Sequence, residues 1–82
     1  MRLEKAFGIF LRRFRDERGF SQEQLALQCG YSRNYISQLE CGQKSPSLTT
    51  IFYLAQTLQV QPSRFIEMVE NAVRTLPKRG GN

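Results

Sequence analysis

Four polar side chains that can pair with the edges of DNA bases lie within six residues of one another. The four are Arg33, Asn34, Ser37 and Gln38. In a helix, at about 100° per residue, these side chains share one arc, and Ile36 and Leu39 lie on the opposite side. Arginine can donate two hydrogen bonds to guanine, and asparagine or glutamine can pair with adenine. Such residues are also common on any solvated amphipathic helix, so the arc alone does not decide between the two interpretations.

The residues around this arc predict two short helices joined by a tight turn. Ser21 and Gln24 form a capping-box pattern, in which each side chain satisfies a backbone group at a helix start. Gly30 can adopt the positive φ that ends this helix, and Ser32 is the expected N-cap of the next. Two helices with this spacing are typical of a helix-turn-helix motif, here at about residues 21–41.

The combined pattern resembles the Cro/repressor-type (XRE-like) helix-turn-helix family from about Leu11 to about Ile66. The matching features are SQEQLA at 21–26, Gly30, Ser32, ISQLE at 36–40 and Gly42. The resemblance implies an all-α, compact, five-helix lambda-repressor-like domain. It also implies a dimer that binds double-stranded DNA sequence-specifically through the second helix of the motif.

This family resemblance and the side-chain chemistry together give an expected DNA-binding site. Base readout is assigned to the arc of Arg33, Asn34, Ser37 and Gln38, and phosphate contacts to Gln22, Ser32, Tyr35 and Lys44. The resemblance aligns Arg15 with a first-helix arginine that pairs with the glutamate before the last glycine of the motif, here Glu40. We expect this pair to clamp the first helix to the recognition helix, the alternative being two solvated charges.

Length and charge limit the class of protein. The chain has 82 residues, enough for one small domain, and its net charge is +5 with a pI of about 9.8. This excess of positive charge is consistent with a polyanionic partner or with a merely basic surface. The apolar runs are short and the first residues are charged, so we expect no signal peptide, no membrane association and a cytoplasmic location.

The residue inventory argues against metal and enzyme chemistry. The chain has two cysteines, Cys29 and Cys41, and no histidine, so we expect no metal site and no cofactor. Without a nucleophile beside a credible base, we predict that the protein is not an enzyme. Cys29 is expected to plug the core, and Cys41 to be an exposed, reduced thiol near the polar arc.

Three further helices are expected to support the motif. A first helix, closed by Gly19, carries the apolar stripe Leu3, Phe7, Phe10 and Phe14. A fourth, capped by Ser47, has the inward residues Leu48, Ile51, Leu54, Ala55 and Leu58. Many relatives carry glycine where this chain has Gln59, which leaves the shape of the following turn open.

The fifth helix is expected to start at Pro62 and to continue to Leu76, before Pro77. Its apolar arc is wider than one small core is expected to cover, so we predict a homodimer held through Ile66, Val69 and Val73, with Phe65 turned inward. Phe52 and Tyr53 are the alternative contact. The domain is thus assigned to residues 1–76 and a disordered tail to residues 77–82.

Together, these features predict a transcriptional regulator, more specifically a repressor, that binds an inverted-repeat operator as a dimer. An antitoxin or another protein-interaction module with the same fold, acting through a protein partner, is the alternative function.

Overall fold

The computed structural model describes residues 1–74, which form five α-helices. The helices are α1 (Leu3–Glu17), α2 (Gln22–Cys29), α3 (Arg33–Glu40), α4 (Leu48–Leu58) and α5 (Pro62–Val73). The all-α prediction is therefore confirmed. The predicted tail at residues 77–82, like the predicted last turn of the fifth helix at Leu76, lies outside the described residues. No helix within residues 1–74 combines the length and the apolar content that crossing a bilayer requires.

Serine side chains begin three of the helices, as the sequence predicts. The hydroxyl oxygens of Ser21, Ser32 and Ser47 each accept a hydrogen bond from the backbone N–H three residues later. At Ser21 the capping box is complete, because Gln24 Oε1 accepts from the backbone N–H of Ser21 at 2.8 Å. Gly30 ends α2 with a φ of 79°, the left-handed conformation expected for the turn of the motif.

The core forms where α1 and α5 pack together over the motif. Phe65 lies at its centre, with its ring stacked on Phe7 at 4.8 Å and tilted against Phe14 at 5.1 Å between ring centroids. α1 contacts both α3 and α5, while α2 contacts α3 and α4. The two motif helices are thus held between α1 on one side and α4 on the other.

The structure corrects the expected inward face of α4. Leu48 is 68% exposed, although the sequence placed it in the core, and Thr50 is buried instead. Leu48 is the first residue of α4 and no helix covers it, whereas Thr50 lies 3.0 Å from the hydroxyl of Tyr31. Leu54, Ala55 and Leu58 are buried as expected.

The structure also contradicts the argument for dimerisation through the middle of α5. Val69 and Val73 are only 4% and 8% exposed within the single chain, so they already belong to its core. They lie about 40° and 80° from Phe65 around the helix, an arc that α1 and α4 cover together. Of the three predicted interface residues only Ile66, at 42%, is exposed.

The turn after α4 keeps its shape without a glycine. Gln59 itself adopts the left-handed conformation, with a φ of 58°, and its N–H bonds back to the carbonyl of Gln56. Its side-chain oxygen accepts a hydrogen bond from Arg18 at 2.5 Å, which ties the turn to the end of α1. A non-glycine residue in this region costs about 1 kcal/mol or more. Gln59 therefore adopts the left-handed conformation that a glycine would adopt without strain.

Candidate nucleic-acid interface

The candidate recognition surface is the outward arc of α3. Ile36 and Leu39 are completely buried and fix the rotation of the helix about its own axis. Arg33 and Asn34 are exposed, and Ser37 and Gln38 are partly exposed. The structure thus brings all four candidate base-reading side chains to one surface. What they bind stays a prediction.

The N-terminal end of α3 is held by its cap and by an aromatic pair. Ser32 Oγ accepts a hydrogen bond from the backbone N–H of Tyr35 at 3.0 Å. The Tyr35 ring is tilted against the ring of Tyr31, with 5.2 Å between centroids, and the Tyr31 hydroxyl lies 3.0 Å from Thr50 Oγ1 at the start of α4. Tyr35 is therefore half-buried, and its position is linked to both the motif turn and α4.

Arg15 and Glu40 form a bidentate ion pair at the C-terminal end of α3. Arg15 Nε donates to Glu40 Oε2 at 2.5 Å and Arg15 Nη2 donates to Glu40 Oε1 at 3.1 Å. The two side chains are only 10% and 4% exposed. Hydrogen bonding to Glu40 raises the pKa of Arg15 above its ordinary value, against the opposing effect of burial. Arg15 Nη1 also donates to the backbone carbonyl of Phe20 at 2.8 Å, at the entrance to α2.

Gln22 joins the same network. Its side-chain nitrogen donates to Glu40 Oε1 at 3.0 Å, so Glu40 connects α1, α2 and α3. The sequence assigned Gln22 to a phosphate contact and did not predict this bond. The bond engages one amide hydrogen and leaves the second hydrogen and the carbonyl oxygen of Gln22 for other partners. A phosphate contact by Gln22 stays a prediction.

Lys44 lies in the connector between α3 and α4, where it is exposed. Three residues later the hydroxyl of Ser47 caps α4 by accepting from the backbone N–H of Thr50 at 3.1 Å. Unpaired backbone N–H groups at a helix start favour an anion nearby. Lys44 therefore lies three residues before the N-cap of α4, so one phosphate group could contact both its side chain and the start of α4.

Gly8 is a residue that the sequence analysis missed. A Cβ at this position would lie 2.5 Å from the carbonyl oxygens of both Leu39 and Glu40, so α1 crosses the end of α3 in direct backbone contact. A side chain here would push α3 away from α1. The available signal was a glycine inside a strongly amphipathic helix, where it is unfavourable by about 1 kcal/mol relative to alanine.

The two cysteines differ in their surroundings. Cys29 is half-buried and its thiol donates to Thr57 Oγ1 at 3.3 Å, and burial raises the pKa of the Cys29 thiol. Cys41 is exposed at the end of α3. The exposed Cys41 agrees with the sequence prediction, whereas Cys29 packs against the edge of the core and is not fully buried in it.

Comparison with known proteins agrees with this architecture. A family model described as a helix-turn-helix matches residues 11–65. An uncharacterised helix-turn-helix-type transcriptional regulator of Sinorhizobium fredii, y4dJ, is 38% identical over 60 residues, which cover 73% of this chain and 78% of that protein. The control protein C.BamHI of Bacillus amyloliquefaciens is 37% identical over 62 residues, covering 74% and 76% of the two chains.

A solved structure gives the same result in three dimensions. The restriction-modification controller protein C.AhdI of Aeromonas hydrophila superposes with a TM-score of 0.73 at 39% sequence identity. The superposition covers 76% of this chain and 94% of C.AhdI. The five-helix fold predicted from the sequence is therefore shared with a protein of known structure.

Proposed function

The chain belongs to the helix-turn-helix family of DNA-binding transcriptional regulators, and from this premise we propose that it binds a specific double-stranded DNA operator through α3. The observation that carries the proposal is the rotation of α3. Ile36 and Leu39 anchor one side of the helix in the core, and this leaves Arg33, Asn34, Ser37 and Gln38 directed away from the domain. The side chains on that outward arc have the hydrogen-bonding groups that distinguish base pairs in the major groove.

Phosphate contacts would position α3 in the groove. Gln22, Ser32, Tyr35 and Lys44 are the residues we assign to them, from the starts of α2 and α3 and from the connector before α4. Such contacts set register and orientation but carry no sequence information. The Arg15–Glu40 pair contributes indirectly, by holding α3 against α1.

We assign the protein to a homodimer that represses by occupying an inverted repeat. The support comes from an exposed apolar surface that spans α1, α4 and α5 and carries Leu3, Phe52 and Ile66. Apolar side chains that cluster at the surface of a small protein mark an interaction site. A two-fold dimer would cover this surface and would present two copies of α3 to successive major grooves. The proposed dimer interface thus differs from the one expected from the sequence. It keeps Ile66 and includes Phe52, but it does not include Val69 and Val73.

Selection of bound duplexes from a random DNA pool tests this function. We expect an inverted repeat whose half-site centres are about 10 to 10.5 base pairs apart. The matched control is the Asn34→Ala/Gln38→Ala double variant, which keeps the net charge. It should bind DNA at low salt but lose the preference at the base positions that Asn34 and Gln38 contact. An unchanged motif in this variant would remove Asn34 and Gln38 from the readout, and absence of a motif for the unaltered protein would refute sequence-specific binding.

Control of a restriction-modification system is a second candidate role, favoured by the likeness to C.BamHI and C.AhdI. If it is correct, the selected motif should occur upstream of genes for a restriction endonuclease or its methyltransferase. Its occurrence only beside unrelated genes would argue for a different regulon.

A further inference from the structure

A recess lies where the start of α1 meets the end of α3, and none of its residues was assigned a DNA contact above. Its lining combines two cationic side chains with the residues that directly follow α3; the lining residues are Met1, Arg2, Lys5, Cys41, Gly42 and Gln43. All of them except Gly42 are exposed. The recess is separate from the base-reading arc but lies directly beside its C-terminal end.

Lys5 is held in this recess by close packing on Gly42. A Cβ at Gly42 would lie 3.1 Å from Lys5 Cα and 3.2 Å from Lys5 Cδ, so the lysine stem runs along the backbone at the end of α3. Arg2 lies on the same side, and its Nε is 3.8 Å from Glu4 Oε1 in an exposed, loose ion pair. Two cations therefore face one carboxylate here, and the exposed Lys44 follows two residues after Gly42.

Cys41 shows that the recess borders the DNA-facing side of α3. Its backbone is still helical, with a φ of −83° and a ψ of −3°. At about 100° per residue, Gln38 lies about 40° from Asn34 around the helix and Cys41 about 20° from it on the other side. The outward stripe of α3 thus continues from Asn34 through Gln38 to Cys41, where Arg2 and Lys5 flank it.

The dimensions of DNA decide what such cations would meet. A helix with its side chains is about 10 to 12 Å across and the major groove is about 12 Å wide, so a helix seated in the groove has a phosphate strand along each side. We propose that this recess receives the DNA phosphate backbone, with Arg2 and Lys5 as its cations. The proposal rests on the DNA binding by α3 proposed above and adds a contact beyond the motif itself.

The salt dependence of binding to a mixed-sequence duplex of about two helical turns tests the proposal. Each phosphate contact contributes about 0.9 to the slope of log K against log salt. The Arg2→Gln/Lys5→Gln variant, which keeps both stems, should therefore have a slope shallower by about 1.8. The matched control is Arg64→Gln/Arg74→Gln, which removes two exposed positive charges from α5 and its C-cap, and its slope should equal that of the unaltered protein.

The outcomes separate this proposal from the function on which it rests. If the unaltered protein binds the duplex and the Arg2→Gln/Lys5→Gln variant keeps the full slope, the recess is not a phosphate site, although α3 can still be the recognition helix. An equal loss of slope in the Arg64→Gln/Arg74→Gln control would mean that the slope depends only on net charge. That result would also overturn the proposal. Failure of the unaltered protein to bind any duplex at low salt would overturn both proposals.

Alkylation of Cys41 by N-ethylmaleimide reports whether bound DNA reaches the recess at the end of α3. We expect the duplex to slow modification of Cys41 at least several-fold, because DNA in the recess would cover the thiol. Cys29, which is half-buried and whose raised pKa reduces its thiolate fraction, serves as the internal reference and is distinguished by peptide mapping. A Cys41 thiol that reacts equally fast in the bound and free protein would rule out occupation of the recess.

Discussion

Glu40 is the residue that connects the motif to the rest of the domain. Its carboxylate accepts two hydrogen bonds from Arg15 of α1 and one from Gln22 of α2. A buried charge with this many donors is tolerated, whereas removal of a partner leaves the remaining charge without compensation. Removing one partner of the pair therefore lowers the free energy of unfolding by more than the intact pair contributes to it.

Removal of the Glu40 carboxylate should destabilise the fold. We expect Glu40→Ala to lower the free energy of unfolding by about 3 kcal/mol, because Arg15 would stay buried without its partner. Urea denaturation of Glu40→Ala, Arg15→Met and the double variant gives the coupling energy, which should exceed about 1 kcal/mol. The exposed Arg12–Asp16 pair, at 3.9 Å, is the control and should couple by no more than about 0.5 kcal/mol.

A coupling energy near zero for Arg15 and Glu40 would contradict this assignment. The two charges would then be solvated independently, and the position of α3 would depend on apolar packing alone.

Arg33 and Lys44 should respond differently to truncation, because bases and phosphates contribute in different ways. Arg33→Ala is expected to cost about 1 to 3 kcal/mol at one operator position and to relax the preference there. Lys44→Ala should weaken binding to all sequences alike and reduce the salt slope by about one. Competition binding with single-base operator variants, repeated at several salt concentrations, measures both effects. An unchanged base preference in Arg33→Ala would remove this residue from the readout.

The sequence predicted the starts of the helices well because a cap is a local interaction. Ser21, Ser32 and Ser47 each bond to a backbone group three residues away, so the signal and its partner lie in one short segment. The left-handed Gly30 is equally local. No knowledge of the tertiary structure is needed for these features.

The neighbours of each helix could not be predicted in the same way. Thr50 is buried because Tyr31 reaches it from the motif turn, and Val73 because α1 and α5 pack side by side. Both depend on residues that are distant in sequence, and helical periodicity carries no information about them. As a result, the sequence analysis placed the exposed Leu48 in the core and placed Val69, which the single chain buries, at a dimer contact.

The crossing of α1 and α3 depends on Gly8. Alanine normally stabilises a helix interior by about 1 kcal/mol relative to glycine. At this position we expect Gly8→Ala to destabilise the protein by about 1 to 3 kcal/mol, because the new Cβ would overlap two carbonyl oxygens of α3. Thermal or urea unfolding measures the change, and operator affinity should fall as α3 shifts.

Gln56→Ala, an exposed change within α4, is the control for Gly8→Ala and should change stability by no more than about 0.5 kcal/mol. A Gly8→Ala protein more stable than the original would mean that the two helices separate at little cost.

At the scale of the whole molecule, the exposed apolar surface should mediate association. Ile66→Glu or Phe52→Glu is expected to give a folded monomer with weakened operator binding, because Phe52 and Ile66 are 54% and 42% exposed. Val73→Glu should instead unfold the domain, with a loss of about 3 kcal/mol or more, because it places a charge in the core. Sedimentation and circular dichroism distinguish a monomer from an unfolded chain.

A dimer that persists in both Ile66→Glu and Phe52→Glu would locate the interface elsewhere. A Val73→Glu protein that folds normally as a monomer would restore the interface first inferred from the sequence.

The stacking of Phe7 on Phe65 has a consequence for synthesis on the ribosome. Phe7 is made near the start of translation and its partner in α5 only after the whole motif, so the emerging chain carries its capped helices before it has a closed core. Domains fold as units once their long-range contacts become available. Translation must therefore pass Phe65 before the core can close, and we expect a chain terminated within α4 to leave the rings of Phe7 and Phe14 without their aromatic partner.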